Sequence, residues 1–158
     1  MNDDPASPVC YAAQGSDAYM GFASRDEIVA ALNELLEAER AGARVTLNSK
    51  GGSHPEIAAL MTAIHADEAR WCAMLSEQVT RLGGTASSIC GEFYDKAMAI
   101  PDPTERVIFL NRGQAWVVRK LGELLPRIRD DRLHVALSEM RLSHIENIEQ
   151  AARVANGG

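Results

Sequence analysis

Aromatic side chains are scarce in this chain, 5% of 158 residues, and there are three cysteines. Cys10, Cys72 and Cys90 are odd in number and widely spaced, which argues against a disulfide framework and against the C-x-x-C spacing of a zinc or redox site. No apolar run approaches the ~20 residues that a membrane span needs. The opening "MNDDPASPVC" lacks the basic-then-apolar order of a secretory leader, so a reduced, cytoplasmic setting is expected. Nucleotide-binding glycine loops and the alternation of β-strands are missing too. Positive charge is in deficit: 16 Lys and Arg stand against 22 Asp and Glu, a net −6. Binding to nucleic acid is driven by a basic surface, so neither nucleic acid nor membrane is expected as a partner. The cluster Arg127, Arg129 and Arg132 reads as a solvated helix end.

What is present is alanine, leucine and glutamate, a helical composition. Residues 1–23 carry Pro, Gly, Ser and Asp without periodicity and read as an irregular arm. "SRDE" at 24–27 is a capping box, Ser24 with Glu27, and opens a first helix that runs to about Asn48. "NSKGG" breaks it. "SHPE" at 53–56 starts a second helix, with Pro55 in the first turn, and Gly83-Gly84 stops it. A long connection, 85–103, holds "GEFYDKAMA" as a turn or two of helix and closes on "PDPT". Thr104 is the expected cap of a third helix reaching Leu125, and a fourth runs from about Asp130 to Ala155. Two short connections make antiparallel neighbours, whereas the long one can run the length of the bundle. The expectation is a four-helix bundle over 24–158 with one crossover between helices two and three.

Spacings of three and four trace the buried stripe of each helix. The first reads Ile28, Leu32, Leu35, Glu39, Gly42, Thr46; the second Ile57, Met61, Ile64, Glu68, Trp71 or Cys72, Leu75, Val79, Leu82. The third reads Val107, Leu110, Gln114, Val117, Leu121, Leu124, and the fourth Leu133, Leu137, Met140, His144, Asn147, Ala151, Val154. Each stripe is interrupted near its middle by a polar group: Glu39, Glu68, Gln114, His144. His65 and Asn147 flank that layer. Glu37 falls off the stripe and is expected to face solvent. An uncompensated buried carboxylate costs several kcal/mol, so protons, histidines, an amide, water or a metal ion must neutralise two of them. Trp71 reads as core packing whose indole N–H needs an acceptor, and Cys72 as a small buried hydrophobe.

Over residues 24–155 the chain resembles the ferritin-like superfamily, especially its rubrerythrin-like branch and small bacterial ferritin-like domains of uncharacterised function. The resemblance rests on "NELLEAERAGARV", "HADEARW" and "SHIENI". It implies a di-iron site of one Glu from each of two helices and a Glu-x-x-His from each of the others. Glu39 and Glu68 match that pattern. Trp71 stands at a His position, Gln114 at a Glu position, His144 at a Glu position and Asn147 at a His position, so the di-iron motif is degenerate.

The resemblance then implies a single divalent ion, iron or manganese, held by Glu39, Glu68, His65 and His144. Gln114, Asn147 and Trp71 would support the ligands or a bound water. Such an ion would serve oxygen- or peroxide-linked redox chemistry on a small-molecule substrate that the chain does not identify. The alternative is a metal-free structural or protein-interaction bundle that keeps a relic of the site. An iron-storage role ranks below both, and a homodimer is expected.

Overall fold

The computed structural model describes residues 18, 20–52 and 54–157. Most of the expected irregular arm lies outside the described residues. Its last residue, Ala23, is buried and donates its N–H to the Arg127 carbonyl at 2.9 Å. Five α-helices and a 3₁₀ turn follow, and among the described residues there is no strand. They are α1 (Arg25–Asn48), α2 (Pro55–Arg81), α3 (Phe93–Met98), α4 (Pro103–Leu124), the turn Leu125–Arg127 and α5 (Asp131–Ala155).

The chain's own punctuation sets these limits. At α1 both halves of the capping box form: Ser24 Oγ accepts from the Glu27 N–H at 3.2 Å, and Glu27 Oε2 accepts from the Ser24 N–H at 2.7 Å. At the end of α2, Gly83 has a φ of 78°. The N–H groups of Gly83 and Gly84 return to the Thr80 and Val79 carbonyls, a closure that favours glycine. The cap of α4 is Asp102 and not Thr104. Asp102 Oδ1 accepts from the Glu105 N–H at 2.8 Å, and Pro103 takes the first helical position, where a missing N–H costs nothing.

Cross-helix bonds give the directions. Arg25 at the start of α1 reaches the Leu82 carbonyl beyond the end of α2, so α1 and α2 are antiparallel. Lys120 of α4 pairs with Glu34 of α1, while Arg106 near the start of α4 meets Ser49 just past the end of α1. Helices α1 and α4 are therefore antiparallel as well, and α2 and α4 run parallel. Arg81–Asp130 and Asn147–Asp67 make α5 antiparallel to α2. This is the bundle with one long crossover.

The crossover is strapped along α1. The Asn33 amide donates to the Thr85 carbonyl and its oxygen accepts from the Ser87 N–H, while Arg40 donates to the Ser87 and Ile89 carbonyls. Glu37, expected in solvent, is half-buried and accepts from Ser87 Oγ at 2.6 Å. The strap covers the side of α1 that faced water in the sequence reading.

The predicted stripes are buried almost throughout, with Cys72, Leu82 and Val154 only half-buried. The core is in two parts. One holds Leu32, Leu36, Leu75, Leu121 and Leu137; the other holds Val45, Met61, Ile64, Val107 and Leu110. The polar layer lies between them.

Candidate functional site

Glu39, Glu68, Gln114 and His144 are at most 3% exposed, so all four mid-helix interruptions point inward. They form two pairs. Glu39 Oε1 lies 2.9 Å from His144 Nε2, joining α1 to α5. Gln114 Nε2 donates to Glu68 Oε1 at 2.9 Å, joining α4 to α2. Since α1 neighbours α2 and α4, and α5 neighbours the same two, each pair spans one diagonal of the bundle.

Hydrogen-bond chemistry fixes how the first pair is compensated. His144 Nδ1 lies 2.9 Å from the Met140 carbonyl, an acceptor only, so Nδ1 carries a hydrogen and donates. A neutral ring then leaves Nε2 as an acceptor facing a carboxylate acceptor. One proton must lie between them. Burial works against a charged imidazole, but the adjacent Glu39 carboxylate and the Met140 carbonyl outweigh it, and the pKa of His144 is raised.

At Glu68, burial and then the nearby Glu39 charge push the carboxyl well above its ordinary range. Thr46 Oγ1 lies 3.2 Å from Glu68 Oε2, a bond in which the hydroxyl donates to an ionised carboxyl and accepts from a protonated one. With Glu68 protonated, Thr46 passes its own hydrogen to the Gly42 or Ala43 carbonyl, at 3.1 and 3.0 Å. Thr46 was legible only as a stripe residue; its hydroxyl is a working part of the layer. Within the layer two acceptors stay unpartnered and buried, Glu39 Oε2 and Gln114 Oε1.

Gly42 explains why Glu68 fits. A Cβ at this position would lie 2.8 Å from Glu68 Cδ and closer still to Oε1. The Glu68 head occupies the space that any other residue on α1 would fill.

The flanking residues go elsewhere. His65 is half-buried, and its Nδ1 sits 2.9 Å from the Ala43 carbonyl and 3.3 Å from Thr46 Oγ1. It faces the α1–α2 seam and is separated from Glu68 by the threonine hydroxyl. Asn147 and Trp71 belong to a second network on the α2–α5 seam. Trp71 Nε1 donates to Ser143 Oγ at 3.3 Å, and Ser143 and the Asn147 amide both donate to Asp67 Oδ2 at 3.2 Å. Asp67 precedes Glu68 and carried no periodic signal. The Cys72 thiol is pushed up to about 12 by burial and then by the Glu39 charge, so it is no nucleophile.

A cavity of about 720 Å³ lies between α1, α3 and α4 and reaches the layer at Glu39, Gly42, Glu68 and Gln114. Its walls are apolar, with Phe93 and Phe109 stacked at 4.8 Å and Trp116 and Val117 beyond them. Phe93 packs against the bare backbone of Gly113, where a Cβ would come within 2.8 Å of the ring. Phe93 thus roofs the site. Its neighbour Tyr94 is engaged elsewhere: Asn48 donates to its hydroxyl and Arg44 lies over its ring.

The donor set does not fit a dinuclear carboxylate centre. Such a centre draws on more carboxylates than Glu39 and Glu68; Gln114 and His144 stand in place of the others, and Trp71 and Asn147 in place of its histidines. Among the described residues, no three or more His, Cys, Asp or Glu side chains form a group that could hold a metal ion. Of the four expected ligands, Glu39 pairs with His144, Glu68 turns to Gln114 and Thr46, and His65 turns to the Ala43 carbonyl. Both nitrogens of His144 and both oxygens of Glu68 are engaged in hydrogen bonds, and His65 is held on the seam by α1 backbone.

The family described as "Domain of unknown function (DUF6306)" matches residues 26–153. Among curated proteins no relative matches the chain. A solved structure described as a ferritin like, diiron-carboxylate protein from Bacillus anthracis str. Ames has the same fold. It superposes with a TM-score of 0.74 at 18% identity, over 83% of this chain and 96% of that one.

Proposed function

The chain belongs to the DUF6306 family and folds as a ferritin-like bundle, and from that premise we propose a metal-free binding bundle whose central layer is neutralised by its own protons. The observation that carries this reading is the pairing across the two diagonals, Glu39 with His144 and Glu68 with Gln114. Each carboxyl already has a partner that compensates it: a shared proton in one case, a bound proton and an amide in the other. Replacing a charge-compensating ion by protons removes the need for uncompensated ionised carboxylates in the bundle interior, where each costs several kcal/mol.

One observation favours a second reading, a single iron or manganese ion held by Glu39, Glu68, His65 and His144 for redox chemistry: Glu39 Oε2 and Gln114 Oε1 are buried acceptors with no donor. Elemental analysis of protein purified without chelator separates the two. Under the metal-free reading iron, manganese and zinc stay below about a tenth of an equivalent. Added ions then leave the melting temperature unchanged, since only a ligand that binds the native state raises it. One equivalent retained through dialysis, with a melting-temperature rise that Glu68→Ala abolishes, overturns the metal-free reading in favour of the single ion.

A further inference from the structure

We propose that the cavity between α1, α3 and α4 binds an organic cation, an amine on an aromatic or alkyl body, with its ammonium group on Glu39 and Gln114. This deepens the metal-free reading and rests on it.

The floor sets the head group. Glu39 and Gln114 both line the cavity, are 2% and 3% exposed, and each keeps one buried acceptor without a partner. One hydrogen of the Gln114 amide nitrogen is already given to Glu68. A group that meets both of these acceptors must therefore donate. An ammonium, with three donors and no acceptor, meets that demand; a carboxylate or ether would set its lone pairs against two others.

The rim has the same sign. Glu34, Glu37 and Glu92 line it with the basic Lys96 and Arg112, so outside the neutralised layer the lining has three acids to two bases. The walls set the body. The Phe93 and Phe109 rings and the Trp116 indole offer aromatic surface to a hydrocarbon chain or ring, and their faces favour a cation in passage. A volume of about 720 Å³ lies within the range of small-molecule sites.

The test is calorimetry and thermal melting of the full chain with matched probes: 3-phenylpropylamine and hexylamine against 3-phenylpropionate and hexanoate. The amines are expected to bind saturably at one site and to raise the melting temperature with concentration, while the acids do neither. Glu39→Gln should weaken amine binding at least tenfold. Because that variant alters the layer, Ala38→Phe, which fills the cavity from a half-buried wall position, provides a second loss of binding in a bundle whose layer is intact. Absence of saturable amine binding, equal binding of the acids, or unchanged affinity in both folded variants overturns the proposal. Metal content of the same sample keeps the two readings apart. Metal-free protein that ignores amines sinks this inference alone, whereas metal-loaded protein whose stripped form takes amines sinks only the metal-free reading.

Discussion

Glu68 and His144 both hold a proton more tightly in the folded chain than in an unfolded one. For each, the stabilisation is complete below the unfolded pKa, ordinarily 4.5 and 6.5, and is lost as pH rises through the elevated folded value. Glu68→Gln keeps the shape and removes one of the two titrations. Relative to wild type, the variant should gain on going from about pH 5 to about pH 8, with a slope of up to ~1.4 kcal/mol per pH unit. At the higher pH it should be as stable as wild type or more so, by up to about 3 kcal/mol. Urea unfolding at the two pH values measures this, and a difference that does not change with pH would contradict protonation of Glu68. Glu39, Glu68, Gln114 and His144 were legible at this scale because a polar residue on an apolar stripe stands out. Thr46 and Asp67 were not: a threonine on a stripe looks like core, and an aspartate beside it looks like surface. His65 misled for a geometric reason. A step of three residues leaves it about 60° around the helix from Glu68, enough to turn it from the layer to the α1–α2 seam.

Between elements, the approach of α2 to α1 is set by one missing side chain. Gly42→Ala should gain about 1 kcal/mol of helix propensity yet lose more by striking the Glu68 head, for a net loss of about 1–3 kcal/mol. In a Glu68→Ala background the space is vacant, and the same substitution should be neutral or stabilising. A double-mutant cycle by chemical denaturation reads the coupling directly, and additive effects would remove Gly42 as the cradle of Glu68. Helix limits were legible wherever a cap had one candidate, as at Ser24. They slipped by two residues at "PDPT", where Asp102 and Thr104 compete and Pro103 decides by fitting only as the first helical residue. Gly113 is a place of close approach. That the approaching group is Phe93, from a six-residue helix in the crossover, follows from the path of a loop that periodicity does not describe.

For the molecule as a whole, connection lengths decided the topology, and the fold was legible for that reason: two short links and one long one leave little choice. The four long helices each bury a stripe, whereas α3 buries only Ala97 and the strap before it is held by side chains at the surface of α1. Opening of the crossover should therefore be a local event. Native-state hydrogen exchange is expected to show the amides of residues 93–99 exchanging at lower free energy than those at the centres of α1, α2, α4 and α5. Equal protection throughout would make the crossover part of one cooperative unit with the bundle.

The two crossed pairs act like dowels driven through four rods, one along each diagonal. Deleting a single residue upstream of Glu39, Glu68, Gln114 or His144 within its helix would swing that side chain by about 100° and pull one dowel out, stranding its partner in hydrocarbon. The long helices can thus change in composition but hardly in length ahead of the layer, and any growth or shrinkage of this chain is steered into its links.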